Sequence, residues 1–592
     1  MFIKQKLMLM AITICMAIHS LWAQAPNTTD LYAQTSEMNN MMVNYDADLG
    51  AINRFYSTSA GGPWERQPGA YNSPERRDRL LKLNNDYLEK LNMVDFDKMS
   101  INGKVDFILF KRNLEDTKYQ WQEEQKTYEQ VSKYFPFSDR IYALEKPRRR
   151  GAAVNGEQTA KELNGIQKEI EKAIAGIKKE ETMEIKLAGF ASEAAKGLQG
   201  SLKNMFVFYN GYDPLFTWWV PKAYSNVDSL LNVYAELLKS KGKEASTQKD
   251  DGSGIIGNPI GSKELIRQLQ LEFIPYTAEE LVGIANKEFA YCDAELLKAS
   301  REMGFGDNWK AAQEKIKNSY TAPGKQPEAM YDLYKQSVEF LKKNDLVTIP
   351  ELSEEIWRMN MMSPERQLIN PFFLGGEALI ISYPTNTMNY EDKMMSLRGN
   401  NPHFSRAVVH HELIAGHHLQ GYMTNRNKAY RNFSTPFWVE GNALYWELLL
   451  WDMKFPRSAE DRIGMLFWRM HRCARIIFSL NYHLGKWTPQ QCIDFLVDRV
   501  GHERANAEGE VRRSFVGGYS PLYQVAYMIG GLQLYSLKKE LVDTKKMTYK
   551  QYHDAIFKEN AMPVEMLRAI LTTQDLKKDF KTMWRFYDVK AK

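Results

Sequence analysis

The chain has 592 residues, of which 44% are apolar, 12% aromatic and 26% charged, and its formal net charge is +5. These proportions describe a folded protein with a large buried core and exclude disorder as its overall state. A charge so small for this length argues neither for a nucleic acid nor for an anionic membrane as a partner.

Residues 1–25 have the pattern of a secretory signal: Lys4 and Lys6, an apolar stretch from Leu7 to Ile18, and Ala23-Gln24-Ala25 as a small-x-small cleavage site. The apolar stretch is short for a bilayer span, and no second one follows. The expected product is a soluble chain without a membrane span, secreted or periplasmic. Residues 26–250 are expected as an N-terminal helical region and 251–592 as a C-terminal helical region that carries the chemistry, together one unit. After the signal, Cys292, Cys473 and Cys492 remain, too few for a disulfide framework and best read as buried apolar thiols.

Helical periodicity dominates the rest. Leu80, Leu81, Leu83, Tyr87 and Leu88 recur three and four apart, as do Leu163, Ile166, Ile170, Ile174 and Ile177. Lys146-Pro147-Arg148-Arg149-Arg150 reads as a solvated basic turn. Lys239–Ser262, rich in Gly, Ser, Lys and Asp, reads as a long loop or a boundary, and its Gly261-Ser262-Lys263 lacks phosphate-loop spacing. Thr277 followed by Glu279 and Glu280 marks a helix start. Ala378–Tyr383 is the best strand, shortly before the histidines. The expected fold is mainly α, with one small sheet near the site.

Five of the ten histidines fall between 403 and 418. Within Val408-Val409-His410-His411-Glu412-Leu413-Ile414-Ala415-Gly416-His417-His418 the pattern approaches His-Glu-x-x-His. In that motif two imidazoles one helical turn apart hold a zinc ion, and the glutamate serves as general base to a water whose pKa the ion lowers to about 7. Here the spacing does not fit a regular helix. Six positions from His411 to His417 turn the chain by about 600°, and seven to His418 separate the rings by about 10.5 Å along the axis. Shared coordination therefore requires a helix distorted between Leu413 and Gly416, where glycine tolerates the needed backbone. Downstream, Glu440 and Glu447 lie on one face of the apolar helical segment 438–448, and a buried acid needs a partner. For Glu440 the favoured partner is the metal; for Glu447 a metal and an arginine are equally good.

The stretch His-Glu-x-x-x-Gly-His-His-Leu-Gln, followed by Glu-Gly-x-Ala-Leu-Tyr-x-Glu, resembles the bacterial domain of unknown function family 885. Its members are predicted zinc peptidases similar in layout to carboxypeptidase Taq and the thimet oligopeptidase group. The resemblance implies a large multi-helix fold with a deep substrate channel and a His, His, Glu zinc site. It aligns Gly416-His417 with the Gly-His of those relatives, selecting His417 over His418 as second ligand, with His411 as first, Glu440 as third and Glu412 as base. It further points to His483 and Tyr527 as oxyanion donors. Ala415 stands where the family usually has Pro, Asn442 for Trp, Ser479 and Asn481 for Asp and Gly, and Tyr523 for Gln. The expected activity is zinc-dependent hydrolysis of small peptides. The alternatives are a zinc-binding, catalytically impaired peptide-binding protein and a zinc hydrolase of a non-peptide amide.

Overall fold

The structure is a computed structural model that describes residues 35–56, 73–177, 181–243, 250–367 and 372–588. The signal at 1–25, and residues 244–249 of the glycine-rich stretch, lie outside the described residues. Helices dominate, as the periodicity requires, with two two-stranded sheets rather than one. The chain forms two compact units, one of Asn40–Phe96 and Phe107–Lys249, the other of Met1–Asn39, Asp97–Asp106 and Asp250–Lys592.

In the first unit the helices Gly156–Gly176, Ile185–Tyr209 and Pro214–Ser240 pack together. Leu163, Ile166 and Ile170 from one meet Leu198 and Leu202 from the next and Phe216, Val220 and Leu231 from the third, all buried. Asn155 and Asp213 start two of these helices by accepting the N–H of Gln158 and Phe216, which satisfies donors that the first turn leaves open. The short parallel pair Met183–Glu184 and Gly242–Lys243 belongs to this unit.

In the second unit Thr277 and Glu280 form a reciprocal capping box at the head of the helix Ala278–Glu302, as the acids after Thr277 imply. That helix packs on Ala459–His483, which also packs against Pro402–Glu412. Ala378–Ile381 pairs in parallel with Arg358–Met361. The tightest helix pair is Pro436–Asp452 with Tyr523–Lys538. A Cβ on Gly530 would lie 1.9 Å from the Phe437 carbonyl oxygen, and one on Gly441 would lie 2.6 Å from the Gly530 carbonyl carbon. Only glycine lets these backbones touch, and the contact places Glu440 against Tyr523. The three thiols Cys292, Cys473 and Cys492 are buried and free.

Candidate metal centre

The helix carrying His411 starts at Asn401, whose side chain accepts the N–H of His403 and Phe404, and is buried from Phe404 to its end at Glu412. There the expected bulge gives way to a full break. Leu413 (φ −109°, ψ −105°) and Gly416 (φ −85°, ψ −139°) leave helical geometry, the Ile414–Ala415 peptide is cis, and a new helix runs from His417 to Thr424. The segment closes on itself when the Leu419 N–H donates to the Leu413 carbonyl at 3.3 Å and the Gln420 N–H to that of Gly416 at 2.9 Å. Any side chain at Gly416 would collide with the His411 carbonyl oxygen, 1.8 Å from its Cβ position. Two separate helices, in place of one distorted helix, set the rings 4.9 Å apart.

His411, His417 and Glu440 converge, each offering one ligand atom within 4.8 Å of the others. Glu440 Oε2 lies 3.2 Å from His417 Nε2 and 3.5 Å from His411 Nε2. The opposite ring nitrogens are engaged elsewhere. His411 Nδ1 meets Glu447 Oε1 at 2.7 Å, and His417 Nδ1 meets Gln420 Oε1 at 3.2 Å. Gln420 is oriented by its own N–H bond to the Val439 carbonyl, 3.1 Å. Since a carboxylate only accepts, Glu447 holds the proton of His411 on Nδ1 and leaves the Nε2 lone pair facing the centre. The Tyr523 hydroxyl donates to Glu440 Oε1, while Oε2 is buried and faces the two imidazoles. Two imidazole nitrogens and one carboxylate oxygen are donors of the kind that can hold a divalent metal ion.

The electrostatics agree. Burial would raise the Glu440 carboxyl, but His417 and His411 outweigh it and hold it well below the usual carboxylate range. Burial lowers His417, yet the Glu440 charge and hydrogen bond prevail and push it up to about 9. A cation arriving there displaces the proton that the Glu440 charge favours on His417. Glu412 is raised, by burial first and by the Glu440 charge, against the pull of His411 and His417.

His418 faces away, its two ring nitrogens lying 3.0 Å and 2.8 Å from the carbonyls of Gly376 and Ser353. The structure thus brings His417, not His418, to the centre. His410 packs edge-on against Phe455. Glu412 and Tyr527 both line a cavity of about 610 Å³ that includes the three converging residues. The Tyr527 ring stacks 6.1 Å from His411, and its hydroxyl is 3.4 Å from that of Tyr523. His483 is not brought there. It lies eight residues beyond Arg475 on the same helix, about 12 Å along the axis, and packs against Phe515 at 5.9 Å. Burial pulls His483 down to about 4.

Residues that motif spacing did not reveal complete the wall. Arg472, Arg475 and Arg513 line the cavity with Tyr523. The guanidinium carbons of Arg472 and Arg475 sit 4.6 and 4.4 Å from the Tyr527 ring centroid. Arg475 and Arg513 share Glu510 at 2.7 and 2.8 Å, and Arg472 approaches Glu447 at 3.4 Å. Glu447 therefore serves as hydrogen-bond partner to His411 and to Arg472 at once. The signal for two of these residues was Arg472 and Arg475, three apart in a helix whose middle and end are mostly buried, a spacing that puts both on one face.

A broken helix and a His, His, Glu centre within an α-helical unit define the class. The chain belongs to the family described as "Bacterial protein of unknown function (DUF885)", which it matches over residues 56–571. Its fold is similar to that of a solved "putative lipoprotein of unknown function" from Shewanella oneidensis, with a TM-score of 0.61, 18% identity, and coverage of 90% of this chain and 98% of that one. It is also similar to a solved "putative lipoprotein" from Colwellia psychrerythraea, with a TM-score of 0.56, 16% identity, and coverage of 91% and 98%. No curated protein matches the chain.

Proposed function

We propose that this protein is an exported zinc peptidase that hydrolyses small peptides, with His411, His417 and Glu440 as ligands. The observation that carries the reading is Glu440 Oε2, a buried carboxylate oxygen aimed between two imidazole nitrogens at 3.2 and 3.5 Å whose other faces are already engaged. Burying three such donors together is costly unless a positive charge is shared among them. Zinc held there supplies Lewis acidity for attack of water on a carbonyl.

The chain's own residues divide the remaining work. Glu412, raised in pKa and on the cavity wall, takes a proton from water and returns it to the leaving amine. Tyr527, on the cavity wall with its hydroxyl 3.4 Å from that of Tyr523, is the oxyanion donor. Glu447 and Gln420 fix the ligand tautomers. The cavity, at about 610 Å³, falls in the range of sites that enclose small ligands rather than folded chains. Export rests on the signal pattern of residues 1–25, and the similar solved structures carry the lipoprotein description.

The test is elemental mass spectrometry of the purified protein beside His411→Ala and Glu440→Ala, with a peptide-library digest. About one zinc per chain, lost in both variants, with peptide cleavage by the wild type, supports the reading. A wild type that takes up no zinc when it is supplied removes it. Zinc uptake without cleavage of any peptide leaves a peptide-binding protein or a hydrolase of another amide.

A further inference from the structure

We propose that the tip of the helical hairpin formed by Ile185–Tyr209 and Pro214–Ser240 docks on the surface of an anionic lipid bilayer. The tip exposes large apolar side chains together: Val207 and Phe208 in the last turn of the first helix, Tyr212 in the connection, and Leu215, Trp218 and Trp219 in the first turns of the second. Tyr212 is 85% exposed, Trp218 80% and Leu215 67%. Leu215, Trp218, Trp219 and Lys222 stand at positions i, i+3, i+4 and i+7, so they form one stripe. The opposite face of the same helix, Phe216, Val220 and Ala223, is buried in the unit's core. The stripe is therefore surplus to folding, and exposed apolar surface of this extent marks an interaction site.

What covers it follows from the charges at the same place. The Tyr209 hydroxyl donates to the Ala152 carbonyl at 2.6 Å, and the Arg148 guanidinium lies 5.8 Å from the Phe208 ring centroid. Gly156 abuts the backbone of Leu215 and Phe216. The basic run Lys146–Arg150 is thereby tied to the aromatic tip. Segment 145–150 carries four basic residues and one acid, Glu145, which Arg148 and the mostly buried side chain of Arg149 share, while Lys146 pairs with Glu75 at 3.2 Å, so Arg150 carries the open charge of this run. Segment 203–222 adds Lys203 and Lys222 against Asp213. The small charge of the whole chain hides this local excess.

Trp and Tyr beside Lys and Arg are the side chains that settle at the boundary between headgroups and acyl chains. The basic rim attracts anionic headgroups and repels a second copy of itself. The attachment is peripheral, since no helix among the described residues is long and apolar enough to cross a membrane.

The experiment is vesicle flotation of the chain from Pro26 onward, which omits the apolar stretch Leu7–Ile18 and keeps every described residue. Vesicles of phosphatidylglycerol mixed with phosphatidylcholine are compared with phosphatidylcholine alone. The wild type floats with the anionic vesicles, and Leu215→Ser with Trp218→Ser weakens binding at least about tenfold. Arg150→Glu with Lys222→Glu weakens it further at low salt than at high salt. All these side chains are exposed, and an unchanged melting temperature verifies the fold. A wild type that does not float, or a Leu215/Trp218 variant that floats equally well, overturns the proposal. So does a dimer in sedimentation that the same substitutions dissociate, which would assign the patch to a second copy.

Discussion

The unit of Asn40–Phe96 and Phe107–Lys249 and the unit that includes Asp250–Lys592 bury different things. The first has a core of Leu, Ile, Val, Ala, Phe and Tyr. Most of its ion pairs, such as Lys82–Asp86, Lys126–Glu123 and Lys196–Glu193, stand well exposed, where each contributes at most about 1 kcal/mol. The second buries Arg475 with Glu510, Arg431 with Asp106, and the His411, His417 and Glu440 centre. Buried ion pairs often return less than the same volume of apolar packing. A region that holds so many is organised around something other than stability, whereas the first unit follows the ordinary rules of a helical core.

That contrast can be broken, and the chemistry gives the largest effect. Glu412→Gln should leave zinc content intact and lower turnover by about 10²–10⁴-fold, read by initial rates beside elemental analysis. Turnover at the wild-type rate removes Glu412 as the base.

Acid is the next lever, because residues 40–249 contain no histidine. Burial lowers His483 to about 4, and lowers His502 and His553 to about 3. It lowers His471 as well. Unfolding restores each to near its ordinary value of about 6.5, so between these limits the unfolded chain binds more protons. The stabilisation is complete above about pH 6.5 and declines by about 1.4 kcal/mol per pH unit for each histidine as pH falls toward the folded values. Urea titrations from pH 7.5 to 5 should show the histidine-bearing unit weakening while the other holds. Equal sensitivity of both units would break the comparison.

From the other side, Phe216→Ala in the first unit should cost about 3–5 kcal/mol of its stability and leave one zinc per chain. Loss of zinc in that variant would mean that the two regions are not independent in the way their interiors suggest. The smallest effect sharpens the role of a single carboxylate. Glu447→Gln keeps the shape but can no longer hold the His411 proton as a charged acceptor, and zinc affinity should fall about 10- to 100-fold in a competition with a chelator. Unchanged affinity would leave Glu447 only its arginine contact.

Much of this protein was determined by sequence alone. Apolar residues three and four apart specify helices, because a helix buries one face wherever it packs. Thr277 with Glu280 specifies a helix start, because the donors there are local. His411, His417 or His418, Glu412 and Glu440 were legible as candidates because few other roles suit His-Glu and Gly-His in an apolar setting. The mismatch in their spacing also said that the helix could not run straight. The tertiary structure decided the rest. Whether the backbone bulges or breaks depends on the space beside Gly416, and which of two adjacent histidines turns inward depends on the Gly376 and Ser353 carbonyls that claim His418. Tyr523 meets Glu440 only because Gly441 and Gly530 let two helices touch. His483, on the same helix as Arg475, falls about two turns past the cavity. The contacts of His418 and of Glu440 join segments 42 to 83 residues apart, and local periodicity carries no information about them.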